Sequence, residues 1–398
     1  MGAGPPDSTL HWLASWGSAQ MIPEPQNALA PALWRNTTLR QVVQVSLGGA
    51  RLRVRISNTF GTAPLVVDGA SIARSLGPGR ADVEPSSLRR LYFSGRPSVT
   101  IPAGADYHSD PVELVHEAGA NLALSLHFQA EPARQTGHGG SRTTSFVAAG
   151  ERVMDADLPA SDQVVRWYQF SGIEVLAAPA TGVLVAIGDS ITDGYGSTTD
   201  GNDRWTDVLG RRLRAEGGLS MALVNAGIGG GRLLRDGLGP NLMARFERDV
   251  LMRSGVTHAI VQVGVNDLGS QHRDGADTPA ARRQLLGEMQ AGYRQLAERG
   301  RAHGVCVIGA TVSPYLGSDY YRPADANEAD REALNAWIRS AGVFDAVADF
   351  DAALRDPARP ARLLAQFDSG DHLHPSLAGY RAMAQAVPLD VLRRRCRR

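Results

Sequence analysis

Apolar and polar residues alternate in several short segments of the first 175 residues. Leu52, Val54 and Ile56 occupy alternate positions, and the same two-residue period recurs at 121–128 (NLALSLHF) and after Leu39. A period of two places apolar side chains on one face of a β-strand. Turn-forming stretches rich in Gly, Pro and Asp separate these segments. The pattern therefore predicts an antiparallel β-sandwich, which we place in the jelly-roll-like fold class.

From residue 183 onward the pattern changes to apolar runs that alternate with helix-like stretches. The runs lie at 183–187, 221–226, 258–265, 305–312 and 343–350, and the predicted helices lie near 203–216, 240–253, 278–300, 326–340 and after Pro375. Continuous apolar runs are typical of strands that are buried on both faces. Five strands, each followed by a helix, predict a parallel sheet with helices on both faces and right-handed crossovers.

This change of pattern divides the chain into two domains. We predict a β domain at 1–176, a linker at 177–182 (AAPATG) and an α/β domain at 183–398. A chain of 398 residues is long enough for two domains. Its content of 43% hydrophobic and 21% charged residues is typical of globular proteins.

The balance of charge excludes several functions. The chain has 41 basic and 41 acidic residues, so bulk electrostatics favours neither a nucleic-acid partner nor an anionic membrane. Every basic residue is arginine, which excludes a lysine nucleophile, a Schiff base and a P-loop lysine. No apolar run is long enough to cross a bilayer, so we expect no stable membrane insertion.

The start of the chain and its two cysteines bear on the compartment. The first residues, MGAGPPDSTLHW, contain no apolar segment of the kind found in signal peptides. The compartment is therefore open: the protein is secreted or periplasmic if a signal peptide was removed, and cytoplasmic otherwise. Cys306 lies in an apolar run and Cys396 in an arginine-rich tail, so we expect no disulfide between them.

Residues suited to catalysis follow the ends of the predicted parallel strands. Ser190 follows the first strand at the start of a helix, where it is either a nucleophile or simply a helix cap. The second strand leads into 225–231 (NAGIGGG), the third into 264–267 (GVND), and the fifth, after a long connection, into 371–375 (DHLHP). Functional groups gather at the carboxyl ends of such strands. Together these segments supply a nucleophile, backbone amides, a side-chain amide and a base with a carboxylate.

These blocks, taken in order, resemble the SGNH (GDSL-type) hydrolase/esterase family over roughly residues 182–394, with an extra N-terminal β domain. The resemblance implies a flavodoxin-like three-layer α/β/α fold and ester hydrolysis without a cofactor. By matching position it implies that Ser190 is the nucleophile, His374 the base and Asp371 its partner. It also implies an oxyanion hole formed by Ser190, Gly230 and Asn266. The register of the glycine is open, since Gly229, Gly230 and Gly231 are consecutive.

The chemistry of these residues is consistent with those roles. Neutral His374 can take the Ser190 proton during attack and return it to the leaving alcohol. Asp371, three residues earlier, can fix the imidazole tautomer and stabilise the imidazolium. A glycine in the oxyanion hole lets the backbone approach the substrate closely.

Two other interpretations of these motifs are weaker. His372 and His374 with Asp371 suggest a metal pair, but no further ligand cluster of matching spacing exists in the sequence, so we expect no metal. The run GIGGG suggests a dinucleotide loop, but Arg232 stands where the last glycine of that motif is required.

Four residues near strand ends are candidates for a substrate pocket, with packing in the core as the alternative for each. They are Tyr195, Trp205, Leu268 and Tyr315.

The sequence therefore predicts a serine carboxylic-ester hydrolase that cleaves short acyl esters through an acyl-serine intermediate. Family members with a β domain ahead of the catalytic domain often act on acylated carbohydrates, which favours a carbohydrate acetylesterase with a small-molecule or carbohydrate ester as substrate. One alternative is a lipid-type esterase or lysophospholipase. Another is a carbohydrate-binding protein on an inactive SGNH scaffold, for which Trp12, Trp16 and Trp34 are candidate stacking residues. The sequence does not determine the oligomeric state.

Overall fold

A computed structural model describes residues 10–159, 161–178, 182–216, 219–394 and 396. These residues form two compact units. The first contains the described residues of Met1–Thr181 together with Thr198–Asn202 and Ala222–Val224. The second contains those of Gly182–Ser197, Asp203–Met221 and Asn225–Arg398.

The first unit is built from short antiparallel strands. They are β1 (His11–Gly17), β2 (Thr37–Gln44), β3 (Gly49–Ser57), β4 (Leu65–Val67), β5 (Gly69–Arg74), β6 (Arg89–Arg90), β7 (Val99–Ile101), β8 (Asp106–His108), β9 (Val112–His116), β10 (Asn121–Phe128), β11 (Gly137–His138), β12 (Ser145–Ala149), β13 (Asp162–Val164), β14 (Trp167–Tyr168) and β15 (Phe170–Ala177). One sheet has the order β1-β15-β3-β8, with β9 also paired to β3. The other has the order β13-β12-β2-β10-β5-β6.

The two sheets share one hydrophobic core, as the alternating pattern predicts. Leu52, Val54 and Ile56 of β3 are buried in the same cluster as Leu122 and Leu124 of β10. Arg51, Arg53 and Arg55, which alternate with them, are by contrast partly exposed. The predicted antiparallel β-sandwich is therefore confirmed.

The tryptophans considered as stacking residues do not form an exposed platform. Trp34 is fully buried and meets Phe128 edge-on, with ring centroids 5.0 Å apart. Trp16 is buried against Phe170. Trp12 is half-buried beneath the guanidinium of Arg53, 4.6 Å from its ring centroid. Trp16 and Trp34 therefore contribute to the core, because their large apolar rings gain most by leaving water.

The second unit alternates strands with helices. Its strands are β16 (Gly182–Gly188), β17 (Met221–Gly227), β18 (Val256–Gln262), β19 (Cys306–Ala310), β20 (Ala346–Ala348), β21 (Arg355–Asp356) and β22 (Arg359–Leu363). Its helices are α1 (Ser190–Asp193), α2 (Trp205–Ala215), α3 (Leu242–Phe246), α4 (Val265–Arg273), α5 (Pro279–Ala302), α6 (Asp325–Ser340), α7 (Phe350–Leu354), α8 (Leu377–Ala386) and α9 (Leu389–Leu392).

The five main strands form one sheet in the order β17-β16-β18-β19-β20. In chain order this is second, first, third, fourth, fifth, which is the flavodoxin-like arrangement. Strands β16, β18, β19 and β20 pair in parallel, and every residue of β16 is buried. Parallel strands need crossover helices, and right-handed crossovers from a central first strand cover both faces. The predicted α/β/α fold with a parallel sheet is confirmed.

Several boundaries differ from the prediction because apolar runs alone do not separate buried strands from buried helices. The third predicted strand ends at Gln262, and helix α4 begins three residues later. The helix predicted at 240–253 is α3 followed by a π-helical turn at Glu247–Leu251. The fifth strand is short, and an antiparallel hairpin of β21 and β22 follows helix α7.

Cys306 and Cys396 form a disulfide, with Cα atoms 5.3 Å apart, so the expectation of unpaired cysteines was wrong. The imidazole of His258 donates from Nε2 to the Val391 carbonyl at 3.1 Å and thereby holds the C-terminal segment against strand β18. His258 is the strand-pairing partner of Cys306, at the start of β19. Cys396 therefore lies close to the start of strand β19, although 90 residues separate it from Cys306 in the sequence.

The predicted linker is only partly described. Strand β15 ends at Ala177 and β16 begins at Gly182, whereas residues 179–181 of the predicted linker lie outside the described residues. Among the helices described, none combines the length and hydropathy required to cross a membrane.

Candidate active site

Ser190 lies just after the carboxyl end of strand β16, as the first residue of helix α1. The cap of this helix is Asp189, whose side chain accepts a hydrogen bond from the Ile191 N–H at 3.0 Å. The alternative interpretation of Ser190 as a helix cap is therefore wrong. Because Asp189 performs the capping, the Ser190 hydroxyl is available for other contacts.

That hydroxyl contacts the predicted base. Ser190 Oγ lies 2.8 Å from His374 Nε2, and His374 Nδ1 lies 2.6 Å from Asp371 Oδ2. Asp371 Oδ1 also accepts the backbone N–H of His374 at 2.8 Å, so the turn holds carboxylate and imidazole in a fixed relation. Ser190 therefore forms a hydrogen-bonded chain with a His–Asp pair whose histidine lies 184 residues further along the sequence.

The charge state of Asp371 determines the direction of these hydrogen bonds. Burial raises the pKa of its carboxyl, but the hydrogen bonds from the His374 side chain and backbone outweigh this effect. The pKa of Asp371 consequently lies well below its usual range. An ionised carboxylate can only accept, so Nδ1 of His374 carries the hydrogen, and Nε2 can accept the Ser190 proton.

The three consecutive glycines differ in what their amides contact. The Gly229 N–H donates to Asp193 Oδ2 at 3.2 Å, and the Gly231 N–H donates to the Ile228 carbonyl at 3.0 Å. Within the described part of the chain, the Gly230 N–H forms no hydrogen bond. Gly230 also has a φ of +66°, a conformation that strongly favours glycine. Gly230 therefore has the only unoccupied amide of the three.

Asn266, near the start of α4, is held at both ends of its side-chain amide. Its Nδ2 donates to the Gly231 carbonyl at 2.8 Å, and its Oδ1 accepts from the Tyr321 hydroxyl at 2.6 Å. One hydrogen of Nδ2 therefore remains available, and the amide lies next to the glycine segment.

Asp267 orders the residues that follow the glycine segment. Its carboxylate accepts the backbone N–H groups of Leu233 at 2.8 Å and Leu234 at 3.2 Å. Burial raises the pKa of Asp267 to about 6. The two backbone contacts make Asp267 a residue that orders the chain beside the site.

A buried arginine, which the sequence patterns did not single out, joins the ends of two strands. Arg245 donates to the Gly188 carbonyl at 2.8 Å and to the Ala226 carbonyl at 2.7 Å. Its charge is balanced by Asp249 at 3.0 Å, and both side chains are buried. These contacts connect the strand before Ser190 with the strand before the glycines, which fixes the separation of the two segments.

Of the four predicted pocket residues, only Tyr195 reaches the surface, with 46% of its area exposed. Its ring stacks on the His374 imidazole. Trp205, Leu268 and Tyr315 are buried, so their prediction as pocket residues is corrected: they pack in the core. Trp205 meets Phe350 edge-on, and Tyr315 meets Tyr321 edge-on.

The first histidine of the DHLHP block, His372, belongs to a separate pair. His372 Nδ1 hydrogen-bonds Asp368, while Asp371 is engaged by His374. In the described residues, no group of three or more His, Cys, Asp or Glu side chains is placed to hold a metal ion.

Tyr321 is the site residue that sequence reasoning missed. It lies in the loop after β19, the fourth strand of the sheet. Its position after a strand end was the available signal, since functional groups gather at the carboxyl ends of parallel strands.

A serine hydroxyl joined to a His–Asp pair at the edge of a parallel α/β sheet is the arrangement typical of serine hydrolases. The model of the GDSL-like lipase/acylhydrolase family matches residues 186–382, which include every residue of this arrangement. We therefore identify this part of the chain as a GDSL-like lipase/acylhydrolase domain, preceded by a β-rich N-terminal region.

Solved structures show similarity to about half of the chain. A GDSL-like lipase from Bacteroides thetaiotaomicron is 19% identical with a TM-score of 0.39, covering 52% of this chain and 87% of its own. The lipase/acylhydrolase from Enterococcus faecalis is 22% identical with a TM-score of 0.38, covering 52% and 92%. A catalytic mutant of an acetylxylan esterase from Geobacillus stearothermophilus is 22% identical with a TM-score of 0.35, covering 55% and 96%. No curated protein matches the sequence.

Proposed function

We propose that the protein is a serine carboxylic-ester hydrolase that acts through an acyl-Ser190 intermediate. The observation that carries this proposal is the hydrogen-bonded chain from Ser190 Oγ through His374 to Asp371, with distances of 2.8 and 2.6 Å. An inactive binding scaffold has no need to keep this chain intact.

In the proposed mechanism, His374 Nε2 takes the Ser190 proton as the hydroxyl oxygen attacks the ester carbonyl. Asp371 stabilises the imidazolium that forms. His374 then returns the proton to the leaving alcohol, and water attacks the acyl-serine with His374 again acting as the base. Each half-reaction ends with the imidazole neutral, so the cycle needs no cofactor.

The oxyanion of each tetrahedral intermediate requires hydrogen-bond donors. We assign this role to the N–H groups of Ser190 and Gly230 and to the free hydrogen of Asn266 Nδ2. This assignment is supported by the two backbone amides: among the described residues, the N–H groups of Ser190 and Gly230 form no hydrogen bond, so both are available to donate to an oxyanion. Loss of one such donor typically costs on the order of 2.7–4 kcal/mol of transition-state stabilisation.

For the substrate, we propose short acyl esters and, more specifically, acetylated carbohydrate. The exposed ring of Tyr195 beside His374 offers an aromatic surface against which a sugar ring can pack. The extra β domain adds to this preference through the family resemblance. A lipid-type esterase is the competing outcome of the substrate test.

Turnover of p-nitrophenyl acetate tests the reaction. The Ser190→Ala protein should lose nearly all turnover while its thermal unfolding curve stays close to that of the wild type. His374→Ala should also be inactive, and added imidazole should restore part of its activity, since a free base can occupy the vacated space. Full turnover by the Ser190→Ala protein refutes the proposal.

Acid release from a panel of natural esters tests the substrate. We expect more acetate from acetylated polysaccharide than acid from lysophospholipid, and a p-nitrophenyl ester profile that falls with acyl length. The full-length Ser190→Ala protein should be retained on acetylated polysaccharide if the chain also binds carbohydrate. A profile that rises with acyl length instead favours the lipid-type esterase.

A further inference from the structure

The amide of Asn266 can serve an oxyanion only in one of its two orientations. Flipping the amide by half a turn exchanges Nδ2 with Oδ1 and would present an acceptor, which repels an oxyanion. The wrong orientation therefore removes a donor and adds an unfavourable charge contact. Contacts within the protein must therefore select one of the two orientations of the amide.

Two contacts make the selection together. The Gly231 carbonyl, 2.8 Å away, can only accept, so the nitrogen must face it. The Tyr321 hydroxyl lies 2.6 Å from the other end of the amide and donates to Oδ1. After flipping, two oxygens would face each other at Gly231, and Tyr321 would lose the acceptor for its hydrogen.

Tyr321 is itself held rigidly. It is buried, and its ring meets those of Tyr315 and Tyr320 edge-on, with centroids 6.3 and 4.7 Å away. Gly269, one helical turn after Asn266, makes room for the ring: a Cβ at that position would lie 2.4 Å from Tyr321 Cγ. The lack of a side chain at Gly269 therefore leaves the space that the Tyr321 ring occupies.

The Tyr321 hydroxyl keeps its hydrogen and is therefore a permanent hydrogen-bond donor. Burial raises the pKa of its hydroxyl well above the usual value, so the hydrogen stays in place across the pH range of an esterase assay. A donor of constant protonation keeps the orientation of the amide constant.

We propose that Tyr321 is a positioning residue that fixes the Asn266 amide with its nitrogen toward the oxyanion. Tyr321 acts through Asn266 and does not touch the substrate. This inference rests on the proposed function, since it concerns the oxyanion of ester hydrolysis.

A double-mutant cycle tests this role: kcat and KM for p-nitrophenyl acetate are measured in the wild type, Y321F, N266A and the double variant. Y321F removes one oxygen and keeps the ring packing. Y321F should lower kcat about tenfold, because one hydrogen bond to the Asn266 amide is lost, and it should leave KM nearly unchanged. In the N266A background the same change should cost nothing further, since no amide remains to be oriented.

Tyr315→Phe is the matched control. Tyr315 is a buried neighbour of Tyr321, and its hydroxyl forms no hydrogen bond among the described residues. This variant should keep the wild-type kcat. Melting curves for all variants verify that each is folded.

The outcomes separate this inference from the proposed function. A Y321F protein with the wild-type kcat overturns the positioning role, and so does an equal loss from Y321F in the wild-type and N266A backgrounds. Turnover by Ser190→Ala overturns the proposed function itself. An inactive Ser190→Ala protein combined with additive Y321F and N266A effects rejects only the role of Tyr321.

Discussion

The ring of Tyr195 stacks on the imidazole of His374, with centroids 4.0 Å apart and planes inclined by 29°. The backbone of Tyr195 is fixed in turn, because its carbonyl accepts the Tyr380 hydroxyl at 2.6 Å. His374 is therefore held in the ring plane by Asp371 and across its face by Tyr195. A ring held in two directions keeps Nε2 aimed at Ser190.

Replacing Tyr195 should show how much its stacking on His374 contributes to activity. Tyr195→Ala should lower kcat/KM for p-nitrophenyl acetate by up to about tenfold, since aromatic pairs contribute about 0.5–1.5 kcal/mol beyond area burial. Tyr195→Phe keeps the ring and should retain most of the activity. Equal losses in the two variants would assign the effect to the hydroxyl and contradict the stacking role.

Gly230→Ala should impair turnover, whereas Gly229→Ala should be tolerated. Gly230 has a φ of +66°, and a Cβ there would lie 3.2 Å from the Leu238 side chain. Alanine disfavours this conformation by roughly 1 kcal/mol, and relaxation moves the amide away from the oxyanion. A Cβ on Gly229 meets only an ordinary contact at 3.7 Å. We expect a loss of kcat of about tenfold or more for Gly230→Ala.

If Gly229→Ala is the more damaging of the two variants, the assignment of the oxyanion amide to Gly230 is wrong. Melting temperatures decide whether a loss reflects unfolding rather than a displaced donor. The two variants form a matched pair, since they add the same methyl group at adjacent positions.

The buried carboxyl of Asp189 should make stability depend on pH. Burial raises the pKa of Asp189 to about 7, against an ordinary value of 3.8. Between these values the folded protein binds more protons than the unfolded chain, so the contribution of Asp189 to the free energy of unfolding falls as pH rises. Asp189→Asn keeps an oxygen to accept the Ile191 N–H and carries no titrating proton.

Urea unfolding at about pH 5 and about pH 8 measures this effect. The free energy of unfolding should decrease less between these two conditions in the Asp189→Asn protein than in the wild type. The carboxyls of Asp267 and Asp371 are present in both proteins and cancel in the comparison. Identical decreases would mean that Asp189 is already ionised near its ordinary pKa.

The disulfide predicts two properties of the purified protein. A thiol reagent should detect no free thiol in the denatured, unreduced chain, since Cys306 and Cys396 are paired. Replacing both residues, as Cys306→Ala with Cys396→Ser, should lower the free energy of unfolding by about 2–4 kcal/mol, because the bond constrains the unfolded chain.

Activity toward p-nitrophenyl acetate should be retained in this double variant, since neither cysteine contacts Ser190, His374 or Asp371 in the described residues. Two free thiols in the denatured wild type would show that the bond does not form in the purified protein.

Much of the fold follows from local patterns that have a direct physical cause. The alternation at Leu52, Val54 and Ile56 requires one buried strand face, and the run at 183–187 requires a strand buried on both faces. Helix α4 was missed because its N-cap Gly264 and its first residues continue an apolar run without a break. Trp205, Leu268 and Tyr315 were misassigned because distance from a strand end does not tell whether a side chain points into the core.

The sequence by itself determined the chemical groups and their order: a serine, a glycine segment, an asparagine and a histidine with its aspartate, each following a strand. Strand ends meet at one edge of a parallel sheet, so their convergence followed from topology alone. Only the tertiary structure decided which of these groups already form hydrogen bonds and which remain available. Gly230 is distinguished from its neighbours by its unused amide, and Tyr321 by its contact with Asn266. The pairing of Cys306 with Cys396 depends likewise on where distant segments meet in space, which no local pattern encodes.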